Sequence, residues 1–223
     1  MKRMIIDLSI EPRVYTIDKF LSPLECRQII SYARGEEMKR ALVSSKEEGV
    51  VTKARTNSVL WVQHYTNETF TAVARRIASL VGIPLSHAEA FQIIHYGSGQ
   101  EYRHHFDAFD PTTDVGKRNW ELGGQRLVTA LCYLNTVQAG GATNFHHLNL
   151  NVPAEEGKLL VFHNTEHGTI RKHPHTLHAG LPVEKGDKWA FNLWFRARTR
   201  LEGKMEPTEA ELDEFSRFSK DNT

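Results

Sequence analysis

Apolar positions in the first part of the chain recur at helical spacing. In SPLECRQIISYAR, Cys26, Ile29, Ile30 and Ala33 fall on one face of a helix. Ser22 caps its start, Pro23 suits the first turn, and Glu25 completes a Ser-x-x-Glu capping box. NETFTAVARRIASLVG repeats the pattern. Its stripe is Phe70, Val73, Ala74, Ile77 and Val81, with Asn67 as cap and Gly82 as terminator. Both stripes are read as facing the core, with no chemistry of their own. After Pro84 the texture changes. EAFQIIHY, RLVTALCYLN, KLLVFHN and KWAFNLWFR are short and rich in β-branched and aromatic residues, with Gly, Pro and Asn between them. QAGGATNF places a Gly-Gly turn before another short strand, and NLNVPAEEGK reads as strand then turn. Two helices followed by a run of strands predict an α+β, mainly β fold, with helices bracing one side of a β-sandwich or jelly roll. The final stretch, MEPTEAELDEFSRFSKDNT, predicts a short helix with a Thr208-x-x-Glu211 box. The expected organisation is one domain over residues 1–200 and a helical tail over 201–223.

Composition narrows the class. The chain has 223 residues, 40% hydrophobic and 25% charged, enough for one sizeable core. A formal net charge of +1 gives no global field for nucleic acid or an anionic membrane. No run of about 18 apolar residues exists, so no membrane span is expected. Asp7 and Glu11 interrupt the N-terminal stretch before a signal-peptide core can form. Cys26 and Cys132 lie far apart in apolar segments and are expected as buried free thiols. These features predict a cytoplasmic or soluble intracellular protein.

The chemistry begins with EYRHHFDAF. In a strand, residues two apart share a face. If HFD is extended, His105 and Asp107 project together and His104 points away. One more histidine would complete a two-His, one-carboxylate face, which binds non-haem Fe(II) and leaves positions open. His146, His147, His163, His167, His173, His175 and His178 are all candidates. LHAGLPVEKGDKWAFNLWFR singles out one of them. His178 ends one strand, PVEKGDK carries the turn residues of a hairpin, and Lys188 opens the next strand. An ammonium entering a cavity needs an anion, or its desolvation is uncompensated. A metal beside such a lysine suits a ligand with a chelating end and a carboxylate end, as 2-oxoglutarate has.

Several motifs in order carry a resemblance: RTNS, EAFQIIHYGSGQEYRHHFDAF, GGQRLVTALCYLN, GGATNF and LHAGLPVEKGDKWAFNLWF. The chain resembles the collagen-type prolyl 4-hydroxylases, which are Fe(II)- and 2-oxoglutarate-dependent dioxygenases. The resemblance implies a double-stranded β-helix braced by helices. It implies that 2-oxoglutarate and O2 become succinate and CO2 while a peptidyl proline is hydroxylated at carbon 4, with ascorbate among the cofactors. It makes His105, Asp107 and His178 iron ligands and Lys188 the partner of the distal 2-oxoglutarate carboxylate, with Tyr96 and Thr143 as further contacts. It makes Arg55, Asn57, Glu89, Gln92, Tyr102, Arg126 and Trp194 contacts of a proline-containing peptide.

Two departures stand out. Asn57 occupies the serine position of an Arg-Thr-Ser motif, and Arg196 stands where the family often has histidine. On a period-two strand Arg196 shares a face with Lys188 and Trp194, so it either adds a second charge near the ligands or leaves the pocket. The segment FHNTEHGTIRKHPHTLH is read as a histidine-rich loop before His178, able to bind stray metal. Competing readings are a similar dioxygenase with another substrate, a catalytically silent Pro-rich-peptide binding module, and a structural zinc protein. An open three-ligand face and few cysteines argue against the last.

Overall fold

The computed structural model describes residues 4–41 and 54–199. In chain order the elements are β1 (Ile6–Ser9), β2 (Val14–Ile17), α1 (Pro23–Arg34), β3 (Lys39–Arg40), β4 (Ser58–Val62) and α2 (Glu68–Val81). Then follow β5 (Phe91–Tyr96), β6 (Tyr102–His105), α3 (Asp114–Trp120), β7 (Arg126–Tyr133), β8 (Ala139–Gly140) and β9 (Thr143–Phe145). The last are β10 (Leu150–Val152), β11 (Leu159–His163), β12 (His178–Gly180), β13 (Val183–Lys185) and β14 (Lys188–Arg196). The expected C-terminal helix at 201–223 lies outside the described residues.

Both long helices start and stop as their caps dictate. The Ser22 hydroxyl accepts from the Glu25 backbone N–H, and the Glu25 carboxylate accepts from the Ser22 backbone N–H. Asn67 caps α2, and Gly82 ends it in a left-handed conformation at φ 71°. A cap of this kind stabilises a helix by about 1 kcal/mol.

An eight-stranded antiparallel sheet runs in the order β1-β2-β11-β7-β14-β5-β4-β3. A smaller sheet, β10-β9-β12-β6, and a two-stranded pair, β13-β8, complete the strands. The large sheet is buried on both faces, which explains why its central strands read as continuous apolar runs. Leu159, Val161, Phe191, Leu193 and Phe195 project from one face onto Cys26, Ile29, Phe70, Val73 and Ile77 of α1 and α2. Leu160, Phe162 and Ala190 project from the other face onto Phe145 and Val152 of the small sheet. The result is a helix-braced double-stranded β-helix. Cys26 and Cys132 are free and buried in the helix-side core.

Three expectations change. Strands β1 to β4 were not foreseen, so the chain does not run as helices and then strands. Strand β2 is wholly buried between β1 and β11. Helix α3, capped by Thr113, was also missed. The expected His178–Lys188 hairpin does not form, because Val183–Lys185 leaves to pair with β8. Strands β12 and β14 therefore belong to opposite sheets.

Candidate active site

Cross-strand register assembles the centre of the site. His178 on β12 stands directly opposite His105 on β6. Directly opposed residues of an antiparallel pair share a face. The two imidazole centroids are accordingly 4.3 Å apart. Strand β6 ends at His105, so Asp107 is not brought in by strand parity as the sequence suggested. It lies in a bend just beyond the strand. Its Oδ1 is 3.8 Å from His105 Nε2 and its Oδ2 is 3.7 Å from His178 Nε2. His104 does point away, and its Nε2 contacts Asn144 Oδ1 at 2.9 Å.

These three side chains fit a divalent metal. Their donor atoms lie within 4.8 Å of one another, the one such group among the described residues. His105 Nδ1 contacts the Arg103 carbonyl at 2.8 Å, and His178 Nδ1 contacts the Thr176 carbonyl at 2.9 Å. A carbonyl can only accept, so each Nδ1 carries the proton and each Nε2 lone pair faces the other ligands. Thr129 Oγ1 donates to Asp107 Oδ2 at 2.8 Å, and Asn164 Nδ2 donates to Thr129 Oγ1 at 2.9 Å. Burial, with help from the neighbouring His178, lowers the His105 pKa well below the usual histidine value, so its ring is neutral. Burial alone would raise the Asp107 pKa, but His178, His105 and Arg126 outweigh it and keep the carboxylate ionised. Neutral imidazoles and an ionised carboxylate are what a metal requires.

The group opens into a cavity of about 740 Å³ lined also by Lys188, Tyr96 and Thr143. Lys188 opposes Tyr96 across β14 and β5 and is 2% exposed. Burial lowers its pKa to about 7, and no charged neighbour among the described residues offsets that. Its Nζ lies 5.3 Å from the Tyr96 ring centroid and 5.4 Å from that of Tyr133. Tyr133, which the sequence did not mark, donates its hydroxyl to Thr143 Oγ1 at 2.7 Å. That leaves the Thr143 proton available to a ligand. The cavity thus joins an open three-donor face to a buried cation and a hydroxyl donor.

A second set of residues lines the same cavity. Tyr102 stacks on His105 with centroids 3.6 Å apart, and Arg55 lies over the Tyr102 ring at 4.5 Å. Arg55 Nη2 donates to Gln92 Oε1 at 2.9 Å. Arg126 lies 3.8 Å above the Trp194 ring. Arg55, Gln92, Tyr102, Arg126 and Trp194 all face the cavity. Asn57 and Glu89 stand behind that wall. Asn57 is fully buried and accepts from Arg55 Nε at 3.0 Å. Glu89 binds Arg126 through both oxygens, at 2.6 and 2.8 Å. Arg196 does not line the pocket: two residues beyond Trp194 on β14, it lies behind the wall and donates to Glu89. The sequence also passed over Trp61 on β4, and Phe109, Val115, Gly116 and Asn119 in and before α3, which are among the residues that line the cavity. Only the exposed Trp61 beside the RTNS motif gave a sequence signal for any of them.

The comparisons with known proteins agree with this geometry. A family model for the 2OG-Fe(II) oxygenase superfamily matches residues 91–196. The chain is 30% identical over 184 residues to a putative prolyl 4-hydroxylase of Acanthamoeba polyphaga mimivirus, covering 82% of this chain and 74% of that one. It is 34% identical over 208 residues to probable prolyl 4-hydroxylase 3 of Arabidopsis thaliana, covering 84% and 70%. Its fold matches the viral collagen prolyl hydroxylase of Paramecium Bursaria Chlorella virus-1, solved as a 2OG complex. The TM-score is 0.65 at 27% identity, over 82% of this chain and 96% of that one.

Proposed function

Because the chain belongs to the prolyl 4-hydroxylase family, and is an Fe(II)- and 2-oxoglutarate-dependent oxygenase that hydroxylates proline, we propose that its target is a proline in a peptide, hydroxylated at carbon 4. His105, Asp107 and His178 hold the iron. With 2-oxoglutarate and O2 bound, the metal supplies the oxidising chemistry: the oxo acid leaves as succinate and CO2, and one oxygen atom stays on the proline.

The protein's own residues do the positioning. Lys188 pairs with the distal carboxylate of 2-oxoglutarate, and Thr143 donates its hydroxyl proton to the same group. Tyr96 walls the ammonium from water. Arg126, with Nε and Nη2 both committed to Glu89, turns its remaining nitrogen toward the peptide. The Trp194 indole, with Arg126 over one face, brings aromatic surface to a proline ring, and Tyr102, covered by His105 and Arg55, offers its edge. Holding the target carbon close to the oxidant, with water excluded, is how a protein steers such chemistry.

The observation that supports this most is Lys188. A buried ammonium with no carboxylate partner among the described residues, in the same cavity as an open three-donor face, calls for a chelating dicarboxylate. The test is incubation with Fe(II), 2-oxoglutarate, O2, ascorbate and a proline-rich peptide library. Mass spectrometry should find one added oxygen on proline, and hydrolysis should yield 4-hydroxyproline. Oxygen on another residue type, or succinate release that no peptide stimulates, overturns the peptide substrate. Residues 1–200 are proposed to suffice for activity, so removal of 201–223 should leave it intact.

A further inference from the structure

Glu89 is held by two arginines, and only one of them reaches the cavity. Its Oε1 accepts from Arg126 Nε at 2.6 Å and from Arg196 Nε at 2.5 Å. The register shift that ends β14 sets Arg196 directly opposite Arg126 on β7. Two guanidinium groups so placed repel, and the carboxylate between them fixes both. Arg196 is 4% exposed and does not line the cavity. Its Nη1 reaches the other way, donating to the Asn119 carbonyl at 3.0 Å and the Gly124 carbonyl at 2.7 Å. Asn119 lies in the last turn of α3 and Gly124 in the turn that follows it, and Val115, Gly116 and Asn119 of α3 form cavity wall. Phe109, at the start of the same segment, has the Arg126 guanidinium 5.0 Å from its centroid and that of Arg196 at 4.5 Å. Gln125 clamps Phe109 as well, through its backbone N–H at 2.7 Å and its carbonyl at 2.9 Å.

We infer that Arg196 is a positioning residue for the peptide. It acts through Glu89 on Arg126, and through the Asn119 and Gly124 carbonyls on the α3 wall. The inference rests on Arg126 being a peptide contact, as proposed above. Arginine suits the place because a planar fork serves a carboxylate on one edge and carbonyls on another, which a single ammonium cannot do. Lys188 is outside this linkage, and the linkage reaches the metal group only through the charge of Arg126 beside Asp107, so its loss should appear chiefly at the peptide and not at the cosubstrate.

The experiment compares Arg196→Met, Arg196→Lys, Glu89→Gln and the Glu89→Gln/Arg196→Met double variant in the full chain. Arg196→Met should raise the peptide KM about tenfold, equivalent to about 1.4 kcal/mol. More 2-oxoglutarate should be consumed per hydroxyproline formed. The 2-oxoglutarate KM should move by no more than about twofold, the scatter expected of independent sites. Arg196→Lys should recover part of the peptide KM. The double variant should cost less than the sum of its single variants, because both act on one linkage. Hydrogen exchange over residues 114–124 should quicken in Arg196→Met while β4 and β5 keep their protection. An unchanged peptide KM, an equal rise in the 2-oxoglutarate KM, or strict additivity overturns the inference. If Arg196→Met does not fold, Arg196→Lys decides alone, and a wild-type peptide KM in it is a refutation. Arg126→Ala separates the two levels. If it leaves the peptide KM alone, the reading of Arg126 fails. If it raises the KM and Arg196→Met does not, only the present inference fails.

Discussion

Replacing Lys188 with methionine should pull stability and cosubstrate binding in opposite directions. The side chain keeps its length and apolar stem and loses its charge. Burial lowers the Lys188 pKa from 10.5 to about 7 in the ligand-free protein. That difference is worth roughly 5 kcal/mol against the charged form, at about 1.4 kcal/mol for each factor of ten. The sign follows from linkage. The unfolded chain binds this proton more tightly than the folded one, so the group disfavours folding below pH 10.5 and most strongly below about pH 7. The methionine variant should therefore melt at a higher temperature than the ligand-free protein at pH 7, and the gap should close as the pH approaches 10. With 2-oxoglutarate bound, Lys188 gains an anion and its charged form is stabilised. Binding at pH 8 should then draw in close to one proton, about 0.9 of an equivalent if the bound amine is fully charged, and much less at pH 6. Calorimetry in buffers of different ionisation enthalpy measures that proton. The same variant should raise the 2-oxoglutarate KM about a hundredfold, in line with the loss of one partner of a buried charge pair. A lower melting temperature together with an unchanged 2-oxoglutarate KM would refute the reasoning, as would proton release on binding.

Other consequences are as direct. His178→Ala removes one of three donors, so the purified protein should retain no stoichiometric iron after dialysis; retained iron would exclude His178 as a ligand. Thr129→Val removes the hydrogen bond to Asp107 and strands the Asn164 amide. Metal affinity should fall about 10- to 100-fold, the usual effect of losing an outer partner, and titration with a divalent metal reads it. Burial, first of all, depresses His105, so protons favour the unfolded chain as pH falls below about 6.5. The metal-free protein should lose melting temperature between pH 7 and 5, and His105→Asn should lose less. Gly116→Ala would place a Cβ 1.6 Å from the Asp110 carbonyl oxygen, so the start of α3 must move. A cost of about 1–3 kcal/mol in stability should come with weaker peptide binding, and wild-type values of both would contradict the packing described.

Legibility in the sequence followed the range of the interactions. Ser22, Glu25, Asn67 and Gly82 set the helix ends through contacts within four residues, and a linear reading finds such contacts. His105, Asp107 and His178 were reachable because ligand chemistry restricts residue type. The structure brings the three together by another route than the sequence suggested: Asp107 arrives by a bend and not by strand parity, and Lys188 faces His178 from the opposite sheet. Strand β13 was the hidden element there. Its three residues look like a turn until Gly140, at φ 72° with the Pro182 carbonyl only 2.2 Å from where a Cβ would sit, lets β8 close against it. Helix α3 was invisible for another reason. At seven residues it carries little amphipathic signal, and Arg196 holds its last turn through the Asn119 carbonyl. Glu89 and Asn57 matched the family positions, yet matching did not reveal that they stand one layer behind the cavity.

Strand β14 organises the site more than any other element. Lys188, Asn192 and Trp194 share its cavity face, and at about 3.3 Å per residue the first and last are roughly 20 Å apart. The proposed cosubstrate anchor is therefore at one end of the strand and the proposed peptide contacts at the other, with Asp107 tied to Thr129, the residue opposite Trp194. Two residues beyond Trp194, Arg196 serves as support and not as cavity wall. Its placement has an electrostatic consequence. Were Arg196 to line the cavity, its guanidinium would join those of Arg40, Arg55 and Arg126 there. Turned back onto Glu89, it leaves Arg126 and Arg55 facing inward, each held by a neutral or anionic neighbour. Lys188 remains a buried cation with no carboxylate partner among the described residues, which suits the proposed contact with a dianionic cosubstrate. On the proposed function, orientation at the peptide end is set by paired charges, and affinity at the cosubstrate end by a cation with no carboxylate partner among the described residues.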